Sequence, residues 1–302
     1  MAPSVGDADE LLAATLNGKT AAVAAKCQRD LRACATEYPD LFPGSPFDDT
    51  LFGTVALANA FGSPGEPADR LRIACRTALW IFAADWLIDY VAKSKHEIDA
   101  IVEGCLAVAD GGVPGTPLTR FLADIRAELA EAPAFEPLGT LWRDELERML
   151  VAMAREWDWK TGLGAGTDAA PPEAPTFEQY LDNADNFGST FVNVSHWIFL
   201  GEPAALGRLD ELREASGEVQ RVLRLLNDLA TYERDRTWGD LNAQMLGVTR
   251  EYVRERVAFH AAAARKRLQP LTDVCPGEVV YLERQIGYSA GFYGITDYWG
   301  HL

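Results

Sequence analysis

The chain has 302 residues, with 45 Asp and Glu against 28 Lys and Arg, a net charge of −17, and 48% hydrophobic residues. That is the composition of a globular protein with a large core, and it excludes a disordered, collagen-like or disulfide-stapled chain. The acidity argues against nonspecific nucleic-acid binding and against an anionic membrane surface, both of which need Lys and Arg, and it sets a field that repels a bare phosphate.

Helical periodicity dominates the sequence. It predicts helices over about 19–37, 49–61, 66–92, 95–109, 117–131, 137–160, 176–200, 208–237, 249–269 and 277–297. Residues 1–18 precede this pattern and read as a mobile segment. Breakers such as Pro43-Gly-Ser-Pro46, Gly111-Gly-Val-Pro114 and Pro276-Gly277 fill the short connectors, and Ser63 with Glu66 has the spacing of a capping box. One connector is long. Residues 161–175 are rich in Gly, Ala and Pro, without periodicity, and read as a surface loop rather than a linker, because both flanks are helical in the same style. The expectation is one all-α domain over residues 1–302.

Five cysteines (Cys27, Cys34, Cys75, Cys105, Cys275) form no C-x-x-C pair and read as small buried hydrophobes in a reducing compartment. The N-terminal residues lack a basic-then-apolar leader. The most membrane-like run, Ala78 to Ala92, is too short to span a bilayer and is interrupted by Asp85 and Asp89. A soluble cytoplasmic protein is expected.

Those two aspartates are the first chemical signal. Helical spacing puts Asp85 and Asp89 on one face, a turn apart, within a segment that also holds Trp80, Phe82, Trp86 and Tyr90. Carboxylates in such a run must be paired, hydrated or metal-bound, since an isolated buried charge is very costly. A solvated stripe on a surface helix is the plain alternative. The second signal is Asn227, Thr231 and Asp235, which recur at i, i+4, i+8 and stack as a polar column beside the stripe of Val222, Leu225, Leu226 and Leu229. An amide oxygen, a hydroxyl and a carboxylate suit one Mg²⁺ shared with an anionic ligand. Arg224 and Arg234 lie close enough in sequence to reach that anion. An exposed helix laced with local ion pairs, Asp228 with Arg234, is the alternative here. None of His96, His196, His260 and His301 follows a Glu at i−3, so the pairs of a di-iron bundle are absent, and His196 reads as a hydrogen-bonded structural residue.

Together the two clusters resemble the class I terpene synthases. Asp85-Trp-Leu-Ile-Asp89 resembles the DDxxD motif with Trp86 replacing its second Asp. Asn227-Asp-Leu-Ala-Thr231-Tyr-Glu-Arg234-Asp235 is similar to NDxx(S/T)xx(K/R)(D/E) at every defined position. The resemblance runs from near Asp49 to the C-terminus and implies an all-α isoprenoid-synthase bundle, with an apolar pocket whose mouth carries both motifs. It implies three Mg²⁺ ions held by Asp85, Asp89, Asn227, Thr231 and Asp235, with a diphosphate held by Arg224, Arg234 and Tyr298. It also implies an aromatic-lined wall, for which the candidates are Trp80, Phe82, Trp86, Phe187, Gly188, Ser189, Asn193, Trp197, Tyr288 and Phe292. Two further departures stand out: Ala184 occupies the place of a diphosphate-sensing Arg, and Asp297-Tyr298 that of an Arg-Tyr pair.

The segment Tyr180-Leu-Asp-Asn…Gly188-Ser-Thr-Phe-Val-Asn-Val-Ser-His196-Trp197 looks most like bacterial labdane-related diterpene synthases. That resemblance implies ionisation of a bicyclic copalyl-type diphosphate to a hydrocarbon such as a labdatriene. A separate class II cyclase would supply the substrate, since no Asp-x-Asp-Asp motif is present. No nucleic-acid or membrane partner is expected, and a homodimer is a family expectation. Cyclisation of linear geranylgeranyl or farnesyl diphosphate, prenyl-chain elongation, and a noncatalytic helical binding protein are the alternatives.

Overall fold

The computed structural model describes residues 5–164 and 174–300. Twelve α-helices are present among them. They are α1 (Val5–Thr36), α2 (Asp49–Gly62), α3 (Ala68–Trp86), α4 (Lys95–Ala109), α5 (Pro117–Ala130), α6 (Phe135–Gly164), α7 (Phe177–Asp182), α8 (Ser189–Leu200), α9 (Pro203–Leu206), α10 (Leu209–Trp238), α11 (Arg250–Leu268) and α12 (Pro276–Phe292). A π-turn over Leu87–Val91 prolongs α3, and a 3₁₀ turn over Ala184–Phe187 joins α7 to α8.

Helix α3 is nearly all apolar on several sides, so it is central. It packs on α1, α2, α5 and α8, while α10 packs on α8, α11 and α12. Arg76 on α3 bonds Asp30 of α1 at 2.8 Å and Glu128 of α5 at 3.1 Å, which fixes the placement of α3 between its neighbours. The core holds Trp80, Trp142, Trp197 and Phe191, all nearly or fully buried. Two of the indoles satisfy their N–H groups inside it: Trp80 donates to the Leu118 carbonyl at 3.0 Å, and Trp142 to Ser195 Oγ at 2.9 Å.

Several expectations need correction. Helix α1 begins at Val5, not near residue 19. Its first half carries exposed Leu11, Leu12 and Leu16, so no buried stripe announces it; strong intrinsic formers such as Ala and Leu carry it instead. Ser63 does not cap α3, whose N-cap is Pro67 without a side-chain bond. Residues 161–164 continue α6, and the remainder of the expected loop to residue 173 lies outside the described residues. The helix expected over 176–200 is broken. Asn183 caps α7, donating its amide to the Ala152 carbonyl at 2.8 Å, and Gly188 opens α8 at φ 76°. A Cβ at Gly188 would lie 2.9 Å from Ile81 Cδ1 and from Met149 Sδ, so both backbone angle and space demand glycine there.

Candidate active site

A cavity of about 250 Å³ opens between the helices, with contributions from α2, α3, α6, α7, α8, α10, α12 and the C-terminal segment. Asp85 and Asp89 line it, and so do Asn227 and Asp235. The fold thus brings the two polar clusters, well over a hundred residues apart in the chain, to one cavity.

The first pair straddles the switch from α3 into the π-turn, where Ala92 N–H reaches back five residues to the Leu87 carbonyl at 2.8 Å. π-turns concentrate at functional sites because the extra residue re-aims side chains. The Asp85 carboxyl is pushed well above the usual carboxylate range by burial and by the charges of Asp89 and Asp240, against the pull of Lys160. Asp89 is pushed up to about 7 by burial, against the pull of Lys160. Lys160 on α6 sits 3.3 Å from Asp89 Oδ1 and 2.6 Å from Asp240 Oδ1, with its ammonium 5.0 Å from the Tyr90 ring centre. Tyr90 donates its hydroxyl to Asp240.

On α10, the column is already knitted. The Thr231 hydroxyl lies 2.6 Å from Asp235 Oδ2 and 2.9 Å from the Asn227 carbonyl. Asn242 Nδ2 donates to the same Asp235 oxygen at 2.9 Å. Thr231 itself is enclosed and stands behind Asp235 rather than in the cavity wall. Asp228, next to Asn227, does not pair with Arg234. It accepts from the Tyr180 hydroxyl at 2.8 Å, its other oxygen is buried without a partner, and burial pushes its carboxyl up to about 7.

Both candidate diphosphate arginines line the cavity, and both have acidic partners. Arg224 Nη2 is 2.9 and 2.7 Å from the two Glu156 oxygens, and its guanidinium stacks 4.1 Å from the Tyr180 ring centre. Arg234 pairs with Asp297 and, at 3.3 Å, with Asp235. Tyr298 lines the cavity with its ring 5.3 Å from that of Phe82.

Of the wall candidates, Phe82, Phe187, Ser189, Asn193 and Tyr288 line the cavity. Asn193 and Gln285 exchange amide hydrogen bonds, the shorter 2.7 Å, tying α8 to α12. Five do not line it. Trp80 is turned into the core and bonded to Leu118. Trp86 lies outside the wall, its ring 4.7 Å from Tyr90 and 5.7 Å from Trp299. Phe292 backs Tyr298 at 4.7 Å. Gly188 is wedged against Ile81 and Met149. Trp197 faces away, toward a second cleft. Residue type alone does not say which side of a helix an aromatic takes. Glu156, Lys160 and Asp240 belong to neither sequence motif; in the sequence they are marked only by the i, i+4 spacing of Glu156 and Lys160 on an aromatic-rich helix.

The donor set suits a divalent cation. Among the described residues no three of His, Cys, Asp and Glu close around a point. Mg²⁺-type ions need only one or two carboxylates when phosphate oxygens and water complete the shell. Asp85, which makes no hydrogen bond or ion pair among the described residues, and the Asn227 amide and Asp235 carboxylate oxygens of α10 are hard donors of that kind.

An all-helical bundle with two carboxylate-bearing segments meeting at an aromatic-lined cavity is the architecture of a class I terpene synthase. The chain belongs to terpene synthase family 2: the family model described as "Terpene synthase family 2, C-terminal metal binding" matches residues 76–264. It is similar to an ent-pimara-9(11),15-diene synthase of Streptomyces sp. (strain KO-3988), 28% identical over 284 residues, 92% of this chain and 93% of the relative. In fold it resembles germacradien-4-ol synthase from Streptomyces citricolor, with TM-score 0.63 and 14% identity over 90% of this chain and 94% of that one. It also resembles the linalool/nerolidol synthase of Streptomyces clavuligerus in complex with 2-fluorogeranyl diphosphate, with TM-score 0.61 and 16% identity over 91% and 96% of the two chains. The protein is thus a lyase of prenyl diphosphates. No helix among the described residues is long and apolar enough to cross a membrane.

Proposed function

We propose that this protein is a diterpene synthase that ionises a bicyclic, copalyl-type diphosphate with Mg²⁺ and releases a hydrocarbon such as a labdatriene. The observation that carries the reading is the meeting of Asp85 and Asp89 with Asn227 and Asp235 on one cavity that is also lined by aliphatic and aromatic side chains. The diene-synthase relative, similar over nearly the whole chain, supports the diterpene scale.

Asp85, Asp89, Asn227 and Asp235 would hold the ions, three by family resemblance, with Thr231, also in the family's ligand set, orienting Asp235 through its hydrogen bond. Bound Mg²⁺ supplies Lewis-acid stabilisation of the departing diphosphate. Arg224 and Arg234 add charge-assisted hydrogen bonds once Glu156 and Asp297 yield them. The allylic cation then faces the rings of Phe82, Phe187 and Tyr288, which attract it through their π faces. Val55, Ile81 and Val192 exclude water, which would otherwise quench it. The final proton leaves to the bound diphosphate. A separate class II cyclase supplies the substrate, and the enzyme works in the cytoplasm as a homodimer.

The test is incubation of the purified chain and Mg²⁺ with copalyl, geranylgeranyl and farnesyl diphosphates in parallel, followed by analysis of hydrocarbon extracts. Preferential turnover of the copalyl substrate is the expected result. Turnover of linear substrates alone moves the enzyme to direct cyclisation, and no product from any of them overturns the reading.

A further inference from the structure

A second cleft, of about 480 Å³, lies beside the cavity and is lined by parts of α2, α3, α8, α9, α12 and the connectors around them. Its rim carries Glu66, Arg70, Glu202 and Glu278, so it is polar at the mouth. Two consecutive side chains of α8 border it with unmet hydrogen-bonding groups. His196 Nδ1 and Trp197 Nε1 are both enclosed and both without a partner among the described residues, on residues that are 2% and 1% exposed. An unmet buried polar group costs about 1–3 kcal/mol, and internal water is the usual remedy where a polar space adjoins. The core indoles make the contrast: Trp80 and Trp142 are as deeply buried and both are bonded.

One buried aromatic borders both spaces. Tyr281 of α12 lines the cavity and the cleft alike. Its ring lies 5.4 Å from that of His196 and 6.5 Å from that of Trp197. It passes so close to α2 that a Cβ on Gly62 would sit 3.1 Å from Tyr281 Cε2. The ring therefore fills the wall between the two spaces.

We propose that the cleft is a hydrated compartment whose water reaches His196 and Trp197, and that the Tyr281 ring is the partition keeping that water from the carbocation. Tyr281 thereby sets specificity: it directs the cation to lose a proton instead of being captured. This rests on the cation chemistry proposed above. When the partition is opened, a water oxygen forms a C–O bond to the cationic carbon, and the surplus proton passes to the released diphosphate. The product is an alcohol in place of an olefin, with no oxidant or reductant involved.

Two measurements test this. The first needs no substrate: indole N–H exchange with solvent in the nitrogen-labelled full-length protein, with the Trp197 signal assigned by its loss in Trp197→Phe. Trp197 N–H is expected to exchange much faster than those of Trp80 and Trp142. Equal protection of all three overturns the hydrated compartment, whether or not the substrate reading stands. The second is product analysis in heavy-oxygen water. Tyr281→Ala is expected to raise the labelled alcohol fraction severalfold. Tyr281→Phe, which keeps the ring, is expected to leave that fraction at the wild-type level. Leu223→Ala, which enlarges the cavity away from the cleft, gives the comparison. Wild-type turnover with no rise in alcohol for Tyr281→Ala, or an equal rise for Leu223→Ala, overturns the partition. Absence of wild-type turnover would instead count against the substrate reading.

Discussion

Arg234 of the second motif is ion-paired to Asp297, a residue of the C-terminal segment that closes the cavity. The same Asp297 oxygen accepts the backbone N–H groups of Trp299 at 2.8 Å and Gly300 at 3.0 Å. One carboxylate thus shapes the closing turn and holds a guanidinium that the diphosphate needs.

Replacing Asp297 by Asn separates these two tasks. The amide oxygen still accepts from Trp299 and Gly300, while the charge that competes for Arg234 is gone. KM for the diphosphate is expected to fall severalfold, with the melting temperature close to wild type. Steady-state kinetics decide it. A raised KM would show that Asp297 orients Arg234 for the ligand rather than competing for it.

Asp85→Asn should move stability and activity in opposite directions. The folded protein holds the Asp85 carboxyl well above its ordinary range, so ionising it opposes folding at neutral pH, and a neutral amide removes that penalty. Thermal melts of the metal-free protein are expected to show a higher midpoint. Turnover is expected to drop by about a thousandfold, the equivalent of about 4 kcal/mol of leaving-group stabilisation.

Lys160 is the resident cation between Asp89 and Asp240. Lys160→Met leaves those carboxylates facing one another, and the metal-free protein should lose stability. Added Mg²⁺ should restore more stability to this variant than to wild type, since a divalent ion can take the position of the lost charge. Melting curves with and without Mg²⁺ measure the difference. Identical metal responses would place the ion away from Asp89.

His196 predicts an acid limb of stability. Burial lowers it from 6.5 to about 4, so the ring is neutral in the folded protein while the unfolded chain takes up a proton below pH 6.5. Stability is therefore unaffected by this residue above pH 6.5 and is lost as pH falls from there toward 4. Urea unfolding at pH 7 and at acid pH should show a smaller loss for His196→Gln than for wild type.

The architecture and the two motifs were legible because both rest on periodicity. Asp85 and Asp89 at i, i+4, and Asn227, Thr231 and Asp235 at i, i+4, i+8, need only helical backbone to share a face. The π-turn at Leu87–Val91 was not legible, since one extra residue in a single turn leaves no repeating pattern. Nor were the partners of the arginines. Glu156 and Asp297 lie 68 and 63 residues from Arg224 and Arg234, and only tertiary packing makes them neighbours. The break at Gly188 lay in a run whose apolar pattern continues on both sides, so periodicity bridged it.

Arg224 and Arg234 at this cavity, and Lys160 behind Asp89 and Asp240, are each held by a carboxylate before any ligand arrives. Loading is therefore an exchange of partners: phosphate oxygens displace carboxylates from the cations, and metal ions take up the acids at the mouth. Such an exchange creates little new net charge. Affinity for the metal–diphosphate should consequently vary only weakly with ionic strength, unlike that of a phosphate site built from free Lys and Arg. A protein with net charge −17 can in this way capture an anion without presenting an electropositive surface to solution.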